Sequence, residues 1–119
     1  MIDIGNQKVV IIVFGMAECG ACEQYLPRLL AEAEQLKAQG FPLSVYTPGQ
    51  QISHGAIPII VYDAASPDSA IQALADRFAI SATPTTLLLL HGPGSFKVEG
   101  SLANNQIVWL LMMAVESNK

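Results

Sequence analysis

Cys19-Gly20-Ala21-Cys22 holds both cysteines of the chain and follows directly on the apolar run Val9-Val10-Ile11-Ile12-Val13-Phe14. Such a run reads as a strand buried on both faces, which puts the motif at a strand-to-helix junction. A helix opening at the second or third residue of C-x-x-C places free backbone N–H groups and the positive end of its dipole beside the first sulfur. The Cys19 thiolate is thereby favoured over the thiol. Two cysteines one turn apart also close a small disulfide ring and reopen it without rearranging the chain, so the pair passes two electrons reversibly. Three blander readings compete. Half a zinc site needs two more ligands, and the chain offers only His54 and His91, at no recognisable ligand spacing. A structural disulfide across so short a loop removes little entropy from the unfolded chain. Cysteines that merely pack in a core are rarely set two apart at such a junction. Redox chemistry is the reading the context favours.

Arg77-Phe78-Ala79-Ile80-Ser81-Ala82-Thr83-Pro84-Thr85-Thr86-Leu87-Leu88-Leu89-Leu90 reads as a helix end, a loop, an X-Pro bond and a buried strand. Together with the C-x-x-C this order resembles the thioredoxin family. The resemblance continues through a hairpin at His91-Gly92-Pro93-Gly94, a strand from Ser95 to Glu99, Gly100 and a final helix. Pro27, five residues after Cys22, matches a proline that kinks the family's active-site helix. The matches cover roughly residues 8 to 40 and 57 to 117, and their joint order is more specific than any single motif.

The resemblance implies an α/β, thioredoxin-like fold in one domain over residues 1–119, with a mixed four- to five-stranded sheet flanked by helices on both faces and right-handed crossovers. It implies thiol-disulfide exchange with protein disulfides, with Cys19 attacking and Cys22 resolving, no cofactor, and a thioredoxin-reductase-type or other electron donor. Pro84 would be cis and lie against the sulfurs. Lacking an N–H, it would leave the backbone of Thr83 open to an extended substrate segment. Thr83 is then a substrate contact or an ordinary strand threonine, and Gly100 either admits a close backbone approach or is a simple turn glycine.

Several positions depart from the family. Glu18 and Ala21 stand where thioredoxins carry a tryptophan and a proline, and the buried aspartate that relays a proton to the second cysteine falls at Val13. Glu18 and Glu23 put carboxylates on both sides of the motif. They either oppose the helix dipole and make Cys19 less acidic, or are solvated surface favoured in a first helical turn. The short N-terminal segment leaves no room for the opening strand and helix of full thioredoxins, so the expected core is the minimal one shared with glutaredoxins. Glutathione binding is not implied, because the tyrosine within the motif and the basic contacts are missing. Two other functions compete: a partner-docking module whose dithiol is incidental, and a thiol peroxidase or dedicated reductase, for which Arg28 and Arg77 are not placed by sequence beside the sulfur.

At 119 residues the chain buries one core. Its net charge of −4 and scarcity of charged residues, 13%, leave no basic patch, so nucleic acid and anionic membrane are poor partners. Lys8 followed by Val9 to Ala17 looks like a short signal sequence, but cleavage there would remove the strand the motif needs. No apolar run reaches the ~18 residues of a membrane span, and a cytoplasmic location is expected. Strands are predicted at about 8–15, 85–91 and 95–99, and helices at about 20–39, 67–78 and 102–117, with Pro67 near the second helix's first position. Leu43 to Thr47 and Ile57 to Tyr62 both look like strands although the family core requires only one, and Pro58 points to an edge strand or a strand start. In the last helix Ile107, Leu110, Leu111 and Ala114 form the core face. Val108, Trp109, Met112 and Val115 remain, either covered by the segment near residues 48–57 or exposed as an apolar patch for dimerisation or docking, with Trp109 and Met112 at its centre.

Overall fold

Every residue of the run Val9–Gly15 is buried, because this strand, β1, lies in the middle of a five-stranded sheet. The computed structural model describes residues 8–47, 50, 55–90 and 94–118. After β1 come α1 (Gly20–Ala38), β2 (Leu43–Tyr46), β3 (Ile57–Asp63), α2 (Ser69–Arg77), β4 (Thr85–Leu90), β5 (Ser95–Glu99) and α3 (Asn104–Ser117). Strand order is β2-β3-β1-β4-β5. β1 runs parallel to β3 and antiparallel to β4, in registers that set Gly15 beside Asp63 and Phe14 beside Thr85. The C-terminal end of β1 therefore meets the C-terminal end of β3 and the start of β4, and one end of the sheet collects three loops.

Alternation sorts β1 between two layers. Val9, Ile11 and Val13 pack with Tyr25, Leu29, Ala33 and Leu36 of α1 and Ile107, Leu110, Leu111 and Ala114 of α3. Val10, Ile12 and Phe14 pack with Ile71, Leu74 and Ala75 of α2. Helices thus cover both faces, and a fully apolar strand is the solution for a position with no solvent side.

Several expectations need correction. Both candidate strands form: β2 is an added edge strand parallel to β3, and it ends at Tyr46 rather than Thr47. Pro58 does not mark an edge, since β3 is interior. It sits at the start of β3, and pairing with β1 begins only at Ile59, so its missing N–H falls outside that ladder. Pro67 precedes α2, whose cap is Asp68: the carboxylate accepts the N–H groups of Ala70 and Ile71 at 2.8 and 3.3 Å. The third helix starts at Asn104, not near 102, and Gln106 Oε1 accepts the Ala103 N–H at 2.9 Å. Val115 is buried and so is not part of an exposed patch, while Met112 is partly buried, packed against the α1/α3 layer. Trp109 is 57% exposed and stands edge-on to Phe96, itself 45% exposed, at 6.2 Å between ring centroids. The hairpin tip 91–93, His54 and most of the segment 48–57 lie outside the described residues.

α1 and α2 end in the same way. The Gly40 N–H bonds to the Lys37 carbonyl and the Phe41 N–H to the Leu36 carbonyl, and likewise Ala79 to Asp76 and Ile80 to Ala75. Each is a Schellman motif closed by an apolar residue that packs on the helix it terminates. Gly40 adopts φ +98 at no steric cost, whereas Ala79 is held at φ +52. Lys97 Nζ donates to the carbonyls of Phe78 and Ala79 at 3.2 and 3.4 Å and covers this end. Replacing Ala79 by Gly should relieve the left-handed strain by more than the added chain entropy costs. A net gain of about 0.5–1 kcal/mol is expected, seen as a melting temperature raised by about 2–5 °C. A lower melting temperature would show that Ala79 is not strained.

Candidate functional site

The first helix is capped by a sulfur. Cys19 has extended backbone angles, φ −104 and ψ 104, and its carbonyl accepts the first helical bond from the Glu23 N–H at 3.0 Å. Its Sγ accepts the Cys22 N–H at 3.1 Å, taking the place usually held by a serine or aspartate oxygen. Cys19 and Cys22 are joined as a disulfide with Cα atoms 5.2 Å apart. Cys19 is half-buried, while Cys22 is 2% exposed. Two backbone features set this up. Glu18 turns the chain at φ +60, a conformation unusual for a side chain of its kind. Gly15 lets α1 close on the end of β1: a Cβ there would stand 3.1 Å from Leu26 Cδ1 and 4.0 Å from Cys22 Sγ.

The loop before β4 comes up against the same sulfur. The Thr83–Pro84 bond is cis. Thr83 Oγ1 donates to Cys19 Sγ at 3.5 Å, and the Thr83 carbonyl oxygen lies 3.7 Å from that sulfur. Thr85 Oγ1 donates to the Ala82 carbonyl at 2.6 Å, and the Pro84 carbonyl accepts the Gly100 N–H at 2.8 Å, tying the loop to β5. The chain thus brings Cys19, Cys22, Thr83 and Pro84 together. Gly100 joins them only through this backbone bond. Open space surrounds its Cα, so its φ of +88 and not a close approach within the chain accounts for the glycine. Glu18 and Glu23 are exposed on the loop and first turn of α1. Arg28 is held elsewhere, donating to Leu102 O and Asn104 Oδ1 at 3.0 and 2.9 Å, and Arg77 lies over the Phe78 ring. Among the described residues no group of three His, Cys, Asp or Glu is placed to hold a metal.

Behind the dithiol the expected substitution is in place: Val13 is fully buried, facing α1. Beside it the structure holds a polar pair that sequence reasoning missed. Thr86 is the register partner of Val13, and its hydroxyl is bonded to the Tyr25 hydroxyl at 2.8 Å with both residues buried. Burial pushes the Tyr25 pKa above its ordinary value of 10.0, opposed by the bond to Thr86 and by the Arg28 guanidinium.

A mixed sheet with a cysteine pair at the N-terminus of its first helix and a cis X-Pro loop against the leading sulfur defines the thioredoxin-like fold. Residues 3–114 match the family described as a thioredoxin-like domain, and the chain belongs to that family. Solved structures agree in fold. A chloroplastic thioredoxin z is 20% identical with a TM-score of 0.60, the match covering 94% of this chain and 81% of that one. Thioredoxin f2 of Chlamydomonas reinhardtii is 16% identical with a TM-score of 0.58, covering 91% and 82%. A malaria-parasite thioredoxin-2 is 16% identical with a TM-score of 0.61, covering 89% and 82%. Among curated proteins no sequence matches.

Two measurements check the site. Replacing Glu18 by Gln removes a carboxylate next to Cys19 and should lower its pKa, read as thiolate absorbance near 240 nm against pH. No change, or a rise, would mean that the carboxylate does not act on the sulfur. Tyr25→Phe or Thr86→Val alone strands a buried hydroxyl and should cost about 1–3 kcal/mol in denaturant unfolding. The double variant should cost less than the sum of the two. Strict additivity would mean that the 2.8 Å bond does not couple them.

Proposed function

We propose that the protein is a thiol-disulfide oxidoreductase acting on protein disulfides through Cys19 and Cys22. The observation that carries this is the sulfur cap: a half-buried Cys19 whose Sγ accepts a helix N-terminal N–H at 3.1 Å, joined to a Cys22 that is shielded from solvent. An N–H aimed at the sulfur and the helix dipole both stabilise a thiolate, the nucleophile of disulfide exchange. In the reduced state Cys19 attacks a substrate sulfur and forms a mixed disulfide. Cys22 then attacks Cys19 Sγ, closes the internal disulfide and releases the substrate as a dithiol. Two electrons pass to the substrate, and a thioredoxin-reductase-type or other donor returns them, in keeping with a cytoplasmic setting where thiols are held reduced. Thr83 is a substrate-side contact in this reading, and proline at 84 leaves no N–H to compete with an incoming strand.

A second reading, a docking module with little redox activity, draws on the exposed Phe96–Trp109 pair. The two separate in one set of assays. With the dithiol reduced, limited alkylation followed by mass spectrometry should label Cys19 before Cys22. Wild-type protein should catalyse reduction of insulin disulfides, Cys19→Ser should abolish this, and Cys22→Ser should accumulate a mixed disulfide with substrate. Preferential labelling of Cys22 would reverse the assigned roles, and catalysis that survives Cys19→Ser would remove the oxidoreductase reading.

A further inference from the structure

The outer side of β5 is laid out as a pairing surface. The Pro84 carbonyl accepts the Gly100 N–H at 2.8 Å, and the Gly94 carbonyl accepts the Leu90 N–H at 3.1 Å. In the antiparallel register with β4, Gly94, Phe96, Val98 and Gly100 therefore turn their backbone groups toward β4. The backbone groups of Ser95, Lys97 and Glu99 point the other way, and among the described residues no strand lies beyond them. An open edge of this kind is a template for a further strand.

Alternation gives this edge one apolar and one charged face. Phe96 is the register partner of Leu88, which belongs to the α1/α3 layer, and its ring stands edge-on to Trp109 of α3 at 6.2 Å. Both aromatic residues are exposed, and Val98 beside them is half-buried. On the opposite face Lys97 Nζ lies 3.5 Å from Glu99 Oε1 and donates to the Phe78 and Ala79 carbonyls at the end of α2. A lysine in an edge strand often deters pairing. Here its side chain is folded back onto α2, with a carboxylate beside it.

We propose that β5 pairs antiparallel with β5 of a second copy of the chain across a twofold axis at Val98, joining the two sheets into one. Charge selects the register. Of the centres along β5, only Val98 sets Lys97 opposite Glu99 of the other copy, and by symmetry it does so twice. Lys97 or Glu99 on the axis would face its own like charge. The same register exchanges the outward N–H and C=O groups of Lys97 with those of Glu99 of the other copy. On the apolar face it sets Phe96 opposite Gly100 of the other copy, where nothing lies within 4 Å of the position a Cβ would take. Val98 then meets its counterpart, and the Phe96 and Trp109 rings of both copies close over the axis, which removes the exposed aromatic pair from water. The pair on which the docking reading draws is thereby assigned to a second copy. Since β5 ends beside the Pro84 loop, antiparallel pairing sends the two dithiols to opposite ends of the joined sheet, and association leaves both open. The proposal does not rest on the oxidoreductase reading.

Trp109 is the only tryptophan of the chain, so sedimentation and intrinsic fluorescence read the same event. The full chain is expected to sediment as a dimer at ~100 μM, with tryptophan emission moving to shorter wavelength as the dimer forms. Glu99→Lys, an exposed substitution that leaves Lys97 on α2, sets like charges opposite each other and should raise the dimer Kd about tenfold or more. Lys97→Glu/Glu99→Lys exchanges the charges within one chain and should restore association toward the wild-type Kd, circular dichroism confirming the fold of both variants. A wild-type chain that stays monomeric at ~0.5 mM with unshifted emission would overturn the proposal and leave the edge to a strand of a different protein. A dimer indifferent to Glu99→Lys but lost in Trp109→Glu would overturn it in favour of copies meeting helix to helix. A charge exchange that fails to restore a folded dimer would overturn the register. Association is read without substrate, so it succeeds or fails separately from the insulin assay, in which Glu99→Lys should keep the wild-type activity per chain.

Discussion

The bond from the Cys22 N–H to Cys19 Sγ is the contact on which the site depends, because one sulfur does two tasks with it. It satisfies one of the unpaired N–H groups in the first turn of α1, as a cap does, and it is one partner of the disulfide. The cap bond runs through the Cys22 backbone N–H and not through its sulfur, so it does not itself require the disulfide. In the proposed function the N–H that caps the helix is also the one that would stabilise the thiolate. Glu18 at φ +60 is the backbone turn that delivers Cys19 to this position, consistent with unusual backbone angles gathering where chemistry is done.

The sheet makes the arrangement possible by bringing distant segments to one end. β1 ends at Gly15, β4 begins at Thr85, and the antiparallel register brings the residues after one and before the other together. Thr83, 64 positions from Cys19 in sequence, then reaches the sulfur. Gly15 allows Cys22 to pack on the strand end, and the Gly100 N–H fixes the Pro84 carbonyl. Each of these residues contributes position, and in the proposed function the chemistry falls to the two sulfurs.

The parts legible in the sequence were those written in local pattern. A six-residue apolar run before C-x-x-C reads as an interior strand, and the order of strand, helix and X-Pro loop, through its resemblance to the thioredoxin family, implied the fold and the Thr83–Pro84 placement. The core face of α3 followed from its 3.6-residue spacing, but Val115 shows the limit: the stripe facing β1 and α1 is wider than the minimal i, i+3, i+4, i+7 set. Of the two positions that Pro58 allowed, an edge or a strand entry, the structure takes the second: it stands at the start of an interior strand, before the pairing with β1 begins. Ala79 gave no signal of a left-handed helix end, since glycine is the residue that usually marks one. The Tyr25–Thr86 bond spans 61 residues, and neither residue type at those positions announces a partner. Long-range polar pairs of this kind are decided by strand register, which the sequence does not display.

The central claim is that Cys19 and Cys22 form a working two-electron couple and not a structural staple. Equilibrating the protein with graded ratios of reduced to oxidised dithiothreitol or glutathione, then trapping free thiols, measures the reduction potential directly. The account predicts one reversible transition in which both cysteines change together, within roughly −270 to −120 mV, the range spanned by catalytic dithiols. A potential below about −300 mV, as structural disulfides have, or a pair that cannot be reduced without unfolding, would contradict it.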